Sequence, residues 1–300
     1  MDKKLIRIRF KDAVKEQQFE QDGYIVLKDF ADAETVAKML SIFHAHYEPP
    51  AEKMVCWNSA VNVDDTEKKH ISSELLALLT PCLQRHIIAY REHFAYFLTK
   101  PAEKTATNLA IHRDASAVDE SEHEYLIFWM PLVDITSDRG YLYFMPGSNK
   151  LFDYQLPIGV DWPYKYLNDD LQKYAVNLNL KAGDAAIFSG KTLHGSFANQ
   201  SGEARPVVCC GLVNPATELL YYYYDRDRNN VDAYGVMPEF FLQGDFSDPA
   251  DKYPLKMSFP YQPPRLTPRD VSDFYKKNWS LYKDKYGFLD RIKKKYLSFV

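Results

Sequence analysis

From Phe94 to Tyr224 the chain is written in short apolar runs, each closed by glycine, proline, asparagine, aspartate or serine. This texture limits the fold more than any other feature. Runs near 94–99, 105–112, 124–133, 141–145, 175–180, 184–188, 193–198, 205–214 and 218–224 read as strands. So many short strands, separated by turn residues, predict a sandwich or a barrel. The 22 tyrosines and 18 phenylalanines fit this reading, because both residues suit strands; an aromatic-lined pocket is the alternative use for them. Tyr221-Tyr222-Tyr223-Tyr224 reads as a strand with two rings on each face.

The flanks have a different texture. Residues 1–93 predict a small β–α opening followed by helices. A short helix is expected from Phe10 to Phe19 and a strand over Gly23–Leu27. A second helix opens at Asp32-Ala33-Glu34-Thr35 and runs to Tyr47, with Val36, Met39, Leu40 and Phe43 on one stripe and His44 and His46 as surface or packing residues. Residues 51–71 are polar and broken, which predicts a loop over a pocket. Ser72 or Ser73 would cap a helix from about Glu74 to about Glu92, kinked or broken at Pro81. The insertion 146–173 would cover the mouth of the fold or serve as a crossover. Residues 225–265 read as loop, and Thr267–Val300 as a helix with Lys293, Lys294 and Lys295 on a solvated face. A chain of 300 residues is long enough for one large domain, divided into an opening (1–93), a β core (94–224) and an extension (225–300).

Two distant stretches carry the chemistry. Asn108-Leu109-Ala110-Ile111-His112-Arg113-Asp114 holds a His-x-Asp. Gly183-Asp184 leads through Ala185-Ala186-Ile187-Phe188-Ser189-Gly190 to His194-Gly195-Ser196. On a strand, His112 and Asp114 share a face. Two imidazoles and one carboxylate on one side of a metal leave open positions, the pattern of non-haem Fe(II) oxygenases. Arg205 follows, a cation able to grip a carboxylate with two parallel hydrogen bonds. Isolated His-x-Asp pairs are common, so the weight lies in the context.

That context resembles the phytanoyl-CoA dioxygenase family of Fe(II)- and 2-oxoglutarate-dependent oxygenases. The resemblance runs from about residue 17 to about residue 213. It includes Asp22-Gly23-Tyr24-Ile25-Val26-Leu27, His112-Arg113-Asp114, Phe128-Trp129-Met130-Pro131-Leu132-Val133-Asp134 and Gly140-Tyr141-Leu142. It continues through Pro146-Gly147-Ser148-Asn149, Gly183-Asp184, His194-Gly195-Ser196 and Arg205. It implies a mainly β fold with flanking helices around a double-stranded β-helix, a jelly-roll relative of the cupins. It also implies Fe(II) on His112, Asp114 and His194, with 2-oxoglutarate and O2 as co-substrates and the distal carboxylate on Arg205. Ser196, on the face of His194, would donate to the same carboxylate. Trp129 matches a tryptophan near the family's site, with a core aromatic as the plain alternative. Asn108, two steps of two from His112, would touch either substrate or serve as a core amide. Related halogenases lack the carboxylate ligand; Asp114 therefore implies hydroxylation, with desaturation or ring closure open to the same oxidant.

The substrate is left open. An amino-acid-like or natural-product molecule is favoured, with an acyl-CoA or carrier-bound acyl group as runner-up and a cupin-like metal-binding or sensor protein as the non-enzymatic reading. Arg139, Lys150, Lys165, Lys173 and Lys191 are scattered, without a CoA-phosphate signature. A formal net charge of −4 gives no basic excess for nucleic acid. Four cysteines, two of them adjacent, do not form a disulfide framework. With no apolar run after the N-terminal charges and none long enough to span a bilayer, a cytoplasmic enzyme is expected.

Overall fold

The computed structural model describes residues 7–102, 107–151, 154–243, 246–247 and 249–283. It opens with β1 (Arg9–Phe10), α1 (Ala13–Asp22), β2 (Tyr24–Leu27), α2 (Ala33–His46), β3 (Trp57–Asn58), α3 (Asp65–His86) and β4 (Ile87–Ile88). The central strands are β5 (Arg91–Lys100), β6 (Leu109–His112), β7 (Tyr125–Pro131) and β8 (Leu142–Phe144). After α4 (Asn168–Gln172) come β9 (Val176–Leu178), β10 (Ala185–Ser189), β11 (His194–Ser196) and β12 (Arg205–Val213). The chain closes with β13 (Leu219–Asp225), β14 (Asn230–Val236), α5 (Phe240–Gln243), β15 (Leu255–Pro260) and α6 (Pro268–Lys283). Each of the nine runs expected between Phe94 and Tyr224 forms a strand, within a few residues at its ends.

Two antiparallel sheets face each other. The larger has the order β2-β10-β7-β12-β5-β3 and the smaller β6-β11-β8-β9. Between them lies a core of Tyr24, Trp129, Leu142, Phe144, Leu178, Ala186, Phe188, Val207 and Cys209. The other face of the larger sheet, through Phe128, Met130, Ile187, Val208, Cys210 and Leu212, packs on Phe19, Met39, Phe43, Ile71, Leu75, Leu79 and Leu83 of the helices. Burial on both faces explains why β10 and β12 are apolar at consecutive positions instead of alternating. The sheet order and the shared inner core make this a jelly roll, mainly β with flanking helices.

The smaller sheet is also covered outside. Ile111, Tyr143, Met145 and Leu193 pack on Trp162, Tyr164, Leu167 and Leu171, and on Val271 and Tyr275 of α6. The described part of the insertion 146–173 therefore plasters the back of this sheet. Tyr221 and Tyr222 point to opposite faces of β13, but each enters a separate apolar cluster, so both are buried.

The flanks need correction: α3 ends at His86 and not near Glu92, which lies in β5, and neither Ser72 nor Ser73 caps it. Residues 65–71 are helix: α3 starts at Asp65, because the Asp64 side chain accepts the Thr66 and Glu67 amides at 2.9 and 3.0 Å, an N-cap that the polar composition of the segment obscured. Pro81 does not end α3; Leu75, Leu79, Cys82 and Leu83 bury one stripe and hold the helix through it. The segment 225–265 contains β14, which pairs with β13, and β15, which pairs with β14. The first helix starts at Ala13, capped by Asp12. Of the expected C-terminal helix, α6 supplies Pro268–Lys283; Lys293, Lys294 and Lys295 lie outside the described residues.

Candidate active site

β6 and β11 are neighbours in the smaller sheet, and their register sets His194 opposite His112. Paired residues on antiparallel strands point to the same side. The two rings accordingly stand with centroids 4.3 Å apart. Asp114 follows the end of β6, where its amide donates to the Gly190 carbonyl at 3.0 Å and ties it to the turn before His194. One donor atom from each of His112, Asp114 and His194 lies within 4.8 Å of the others. The contact between His194 Nε2 and Asp114 Oδ2 is 3.9 Å.

The residues around these three prepare them for a metal. His112 Nδ1 lies 2.8 Å from the Ala110 carbonyl and His194 Nδ1 lies 2.9 Å from the Thr192 carbonyl. A carbonyl only accepts, so each Nδ1 carries the proton and each Nε2 presents a lone pair. Burial first, and His112 second, push His194 down to about 4, which keeps its imidazole neutral at physiological pH. Phe188 and Phe144 back this ring at centroid distances of 4.8 and 5.8 Å. Asp114 Oδ2 is shielded and has no hydrogen-bond partner, although the side chain as a whole is 31% exposed. An orphaned carboxylate oxygen costs free energy unless something cationic meets it. The donor set thus fits a divalent first-row metal, with open positions facing the interior.

Arg205 starts β12 and is 1% exposed. Its guanidinium donates to the Gly140 carbonyl at 2.7 Å and lies 5.5 Å from the Trp129 ring centroid. Its Nε has no partner, and among the described residues no carboxylate pairs with it. Burial pushes it down to about 10. Gly140 is required beside it: its φ is +75°, and a Cβ would sit 2.2 Å from the Phe197 carbonyl oxygen.

Directly across the sheet from Arg205 stands Lys100, also fully buried. Its ammonium donates to the carbonyls of Ser196 at 3.0 Å, Phe197 at 2.5 Å and Thr107. Burial and then the Arg205 charge push it down to about 7. Two basic side chains thus share a buried wall, and among the described residues no carboxylate pairs with either. Lys100 was not singled out from sequence, because only the β5–β12 register brings it beside Arg205. Arg113, the middle of His-Arg-Asp, was likewise overlooked: it turns away from the ligands into a buried pair with Glu120 at 2.5 Å and donates to the Tyr154 carbonyl at 2.9 Å, which anchors the segment after Asp114.

The remaining expected residues divide. Ser196 is buried on the same face of β11 as His194, and Trp129 lies in the inter-sheet core beside Arg205. Asn108 is exposed one residue before β6. The β6–β11 pairing slips between His194 and Ser196, so that Ser196 faces Leu109. That bulge removes the period-two argument that put Asn108 on the His112 face. A cavity of about 320 Å³, lined in part by Glu20, Glu124 and Lys191, contains none of the three ligand residues.

Among solved structures, the epimerase SnoN in complex with Fe3+, alpha ketoglutarate and nogalamycin RO is similar at 21% identity and a TM-score of 0.50, covering 81% of this chain and 98% of that one. The carbocyclase SnoK from nogalamycin biosynthesis reaches 0.49 at 15% identity, covering 86% and 94%. HygX from Streptomyces hygroscopicus, with nickel and 2-oxoglutarate bound, reaches 0.48 at 15% identity, covering 68% and 88%. No curated protein matches the sequence. The model of the phytanoyl-CoA dioxygenase (PhyH) family matches residues 19–207. That span takes in all three candidate ligands, Trp129, Ser196, Lys100 and Arg205, and the chain belongs to this family of Fe(II)-, 2-oxoglutarate- and O2-dependent enzymes.

Proposed function

We propose that the protein is a hydroxylase of a small organic molecule, holding Fe(II) on His112, Asp114 and His194 and 2-oxoglutarate against Arg205. The observation that carries this reading is a two-imidazole, one-carboxylate donor set in the same inter-sheet interior as a buried guanidinium without an anionic partner. When bound, iron and 2-oxoglutarate supply with O2 an oxidant able to take hydrogen from an unactivated C–H bond, with succinate and CO2 as coproducts.

The chain's own groups position and shield that chemistry. His112 and His194 present neutral Nε2 atoms, each fixed by a backbone carbonyl behind it. Asp114 contributes the anionic oxygen that halogenases of this kind lack, so oxygen insertion is the expected outcome and chlorination is not. Arg205 grips the distal carboxylate of 2-oxoglutarate, Trp129 and the Gly140 carbonyl set the guanidinium plane, and Lys100 adds a second positive charge. Ser196, on the face of β11 that carries His194, donates to the same carboxylate in this reading. Residues 1–300 are read as one catalytic domain, since α1–α3 share a core with the larger sheet.

The substrate class we favour is amino-acid-like or a natural product. Of the scattered basic residues, Arg139 pairs with Glu203, Lys165 with Asp161 and Lys173 with Asp170, which leaves them poorly disposed to take CoA phosphates. SnoN, of similar fold, is an epimerase, so the product and not the donor set must identify the outcome. Succinate release with Fe(II), 2-oxoglutarate and ascorbate, followed by a substrate-library screen for a gain of one oxygen, tests the proposal. Absence of both succinate and oxygenated product across the library, from iron-loaded protein, would overturn it.

A further inference from the structure

A second group of side chains among the described residues brings metal-binding atoms together, on the opposite side of the larger sheet from the triad. His46 is the last residue of α2; His70 and Glu74 lie on α3. One donor atom from each lies within 4.8 Å of the others. Both helices pack against the outer face of the larger sheet, whereas His112, Asp114 and His194 belong to the interior between the sheets.

The group has the features of a binding site and not only proximity. His70 and Glu74 are one helical turn apart, so they rise from the same face; His70 Nε2 and Glu74 Oε2 are 3.3 Å apart. The His46 ring stands edge-on to His70, at 71° and a centroid distance of 6.0 Å. Behind it, Glu67 Oε1 lies 2.6 Å from His46 Nδ1. A carboxylate in that position accepts the Nδ1 proton, fixes the ring and leaves the Nε2 lone pair free, the arrangement that supports metal-bound imidazoles. His46 and Glu67 are sheltered, at 18% and 31% side-chain exposure, while His70 and Glu74 face solvent at 62% and 41%. The inner pair is thus held in place, and the outer pair is free to close by the roughly 1 Å that metal–ligand bonds of about 2.0–2.2 Å demand.

We propose that His46, His70 and Glu74, braced by Glu67, bind a second divalent ion of the zinc class. Two imidazoles and one carboxylate with a solvent-facing fourth position suit Zn2+, and by the same donors Ni2+ or Cu2+, better than Ca2+ or Mg2+, which prefer all-oxygen shells. The ion joins the C-terminal end of α2 to the first half of α3. It thereby fixes the helical layer that supports β5, the strand carrying Lys100.

The test is zinc stoichiometry on the full chain, by chelator competition under anaerobic conditions. Wild type is expected to hold two zinc ions, one on the triad and one here. His70→Ala and His194→Ala should each hold one, and the double variant none. Zinc should raise the unfolding temperature of His194→Ala by several degrees and leave that of the double variant unchanged. Glu67→Gln should weaken the outer ion by about 10–100-fold without abolishing it. His70 is exposed on a helix and alanine is the best helix former, so its loss tests binding and not folding. Equal zinc content in wild type and His70→Ala would overturn the proposal, whether or not the triad binds metal. So would an ion in His194→Ala that survives removal of His70.

Discussion

Replacing Arg205 by methionine separates a side chain kept for ligand binding from one kept for the fold. Burial moves Arg205 from its ordinary 12.5 to about 10. The folded state therefore holds this proton less tightly than the unfolded chain. At neutral pH both states are protonated, so the folded state bears the cost: about 3 kcal/mol at 1.36 kcal/mol per pH unit. Methionine keeps the length of the stem and removes the charge. It also leaves the Gly140 carbonyl without its donor, which costs about 1–3 kcal/mol. The two nearly cancel, so the unfolding free energy of the ligand-free protein should stay within about 2 kcal/mol of wild type, by urea titration. Affinity for 2-oxoglutarate should fall sharply, since truncating one partner of a buried charge pair costs ~2–5 kcal/mol. Because Lys100 remains on the same wall, the lower end applies, about 30–100-fold at 1.4 kcal/mol per tenfold. Arg205→Lys should recover only part, for want of the two-pronged geometry. A variant destabilised well beyond 2 kcal/mol, with unchanged 2-oxoglutarate affinity, would show that Arg205 is a structural residue and that the anion site lies elsewhere.

Four further outcomes are expected. His194→Ala should lose iron, read by metal analysis after desalting, yet keep its circular dichroism spectrum. Lys100, pushed down to about 7, is largely neutral in the ligand-free protein at pH 8 and should take up a proton as 2-oxoglutarate binds; binding heats that do not depend on the buffer's ionisation enthalpy would refute this, and Lys100→Met should abolish the uptake. The metal-free protein should lose stability as pH falls below about 6.5, because the unfolded chain protonates His194 first; the contribution of that residue, about 3 kcal/mol, levels off near pH 4 and disappears in His194→Gln. With a confirmed substrate under labelled oxygen, one labelled atom should enter the product and no chlorinated product should form in high chloride; a chlorinated product would show that Asp114 does not act as an iron ligand.

The β core was legible because turn residues punctuate it and its strands are continuous apolar runs. His112, Asp114 and His194 were legible because their spacing could be compared with a known family. What stayed hidden depended on pairings far apart in the sequence. Lys100 acquires its meaning from register with Arg205, and the inference about Asn108 failed at a bulge that no local pattern announces. The helix over 65–71 was mistaken for loop because its first turns are solvated, with the cap supplied by Asp64. β15 was missed because its residues alternate between exposed and half-buried positions, and β14 because it buries Asp232 in a polar cluster with Arg228 and Ser258.

β12 lies within the larger sheet with Val207 and Cys209 toward the core between the sheets and Val208, Cys210 and Leu212 toward the helices. Adjacent codons of one short segment therefore answer to different demands. Val207 and Cys209 are where an altered substrate range can be sought, since their side chains pack in the core that holds Trp129. Even-numbered positions set how firmly the helical layer adheres, and changes there would be felt as expression level and thermal tolerance. A saturation library over residues 207–210 should thus separate, with a period of two, into variants that change selectivity at constant abundance and variants that change abundance at constant selectivity.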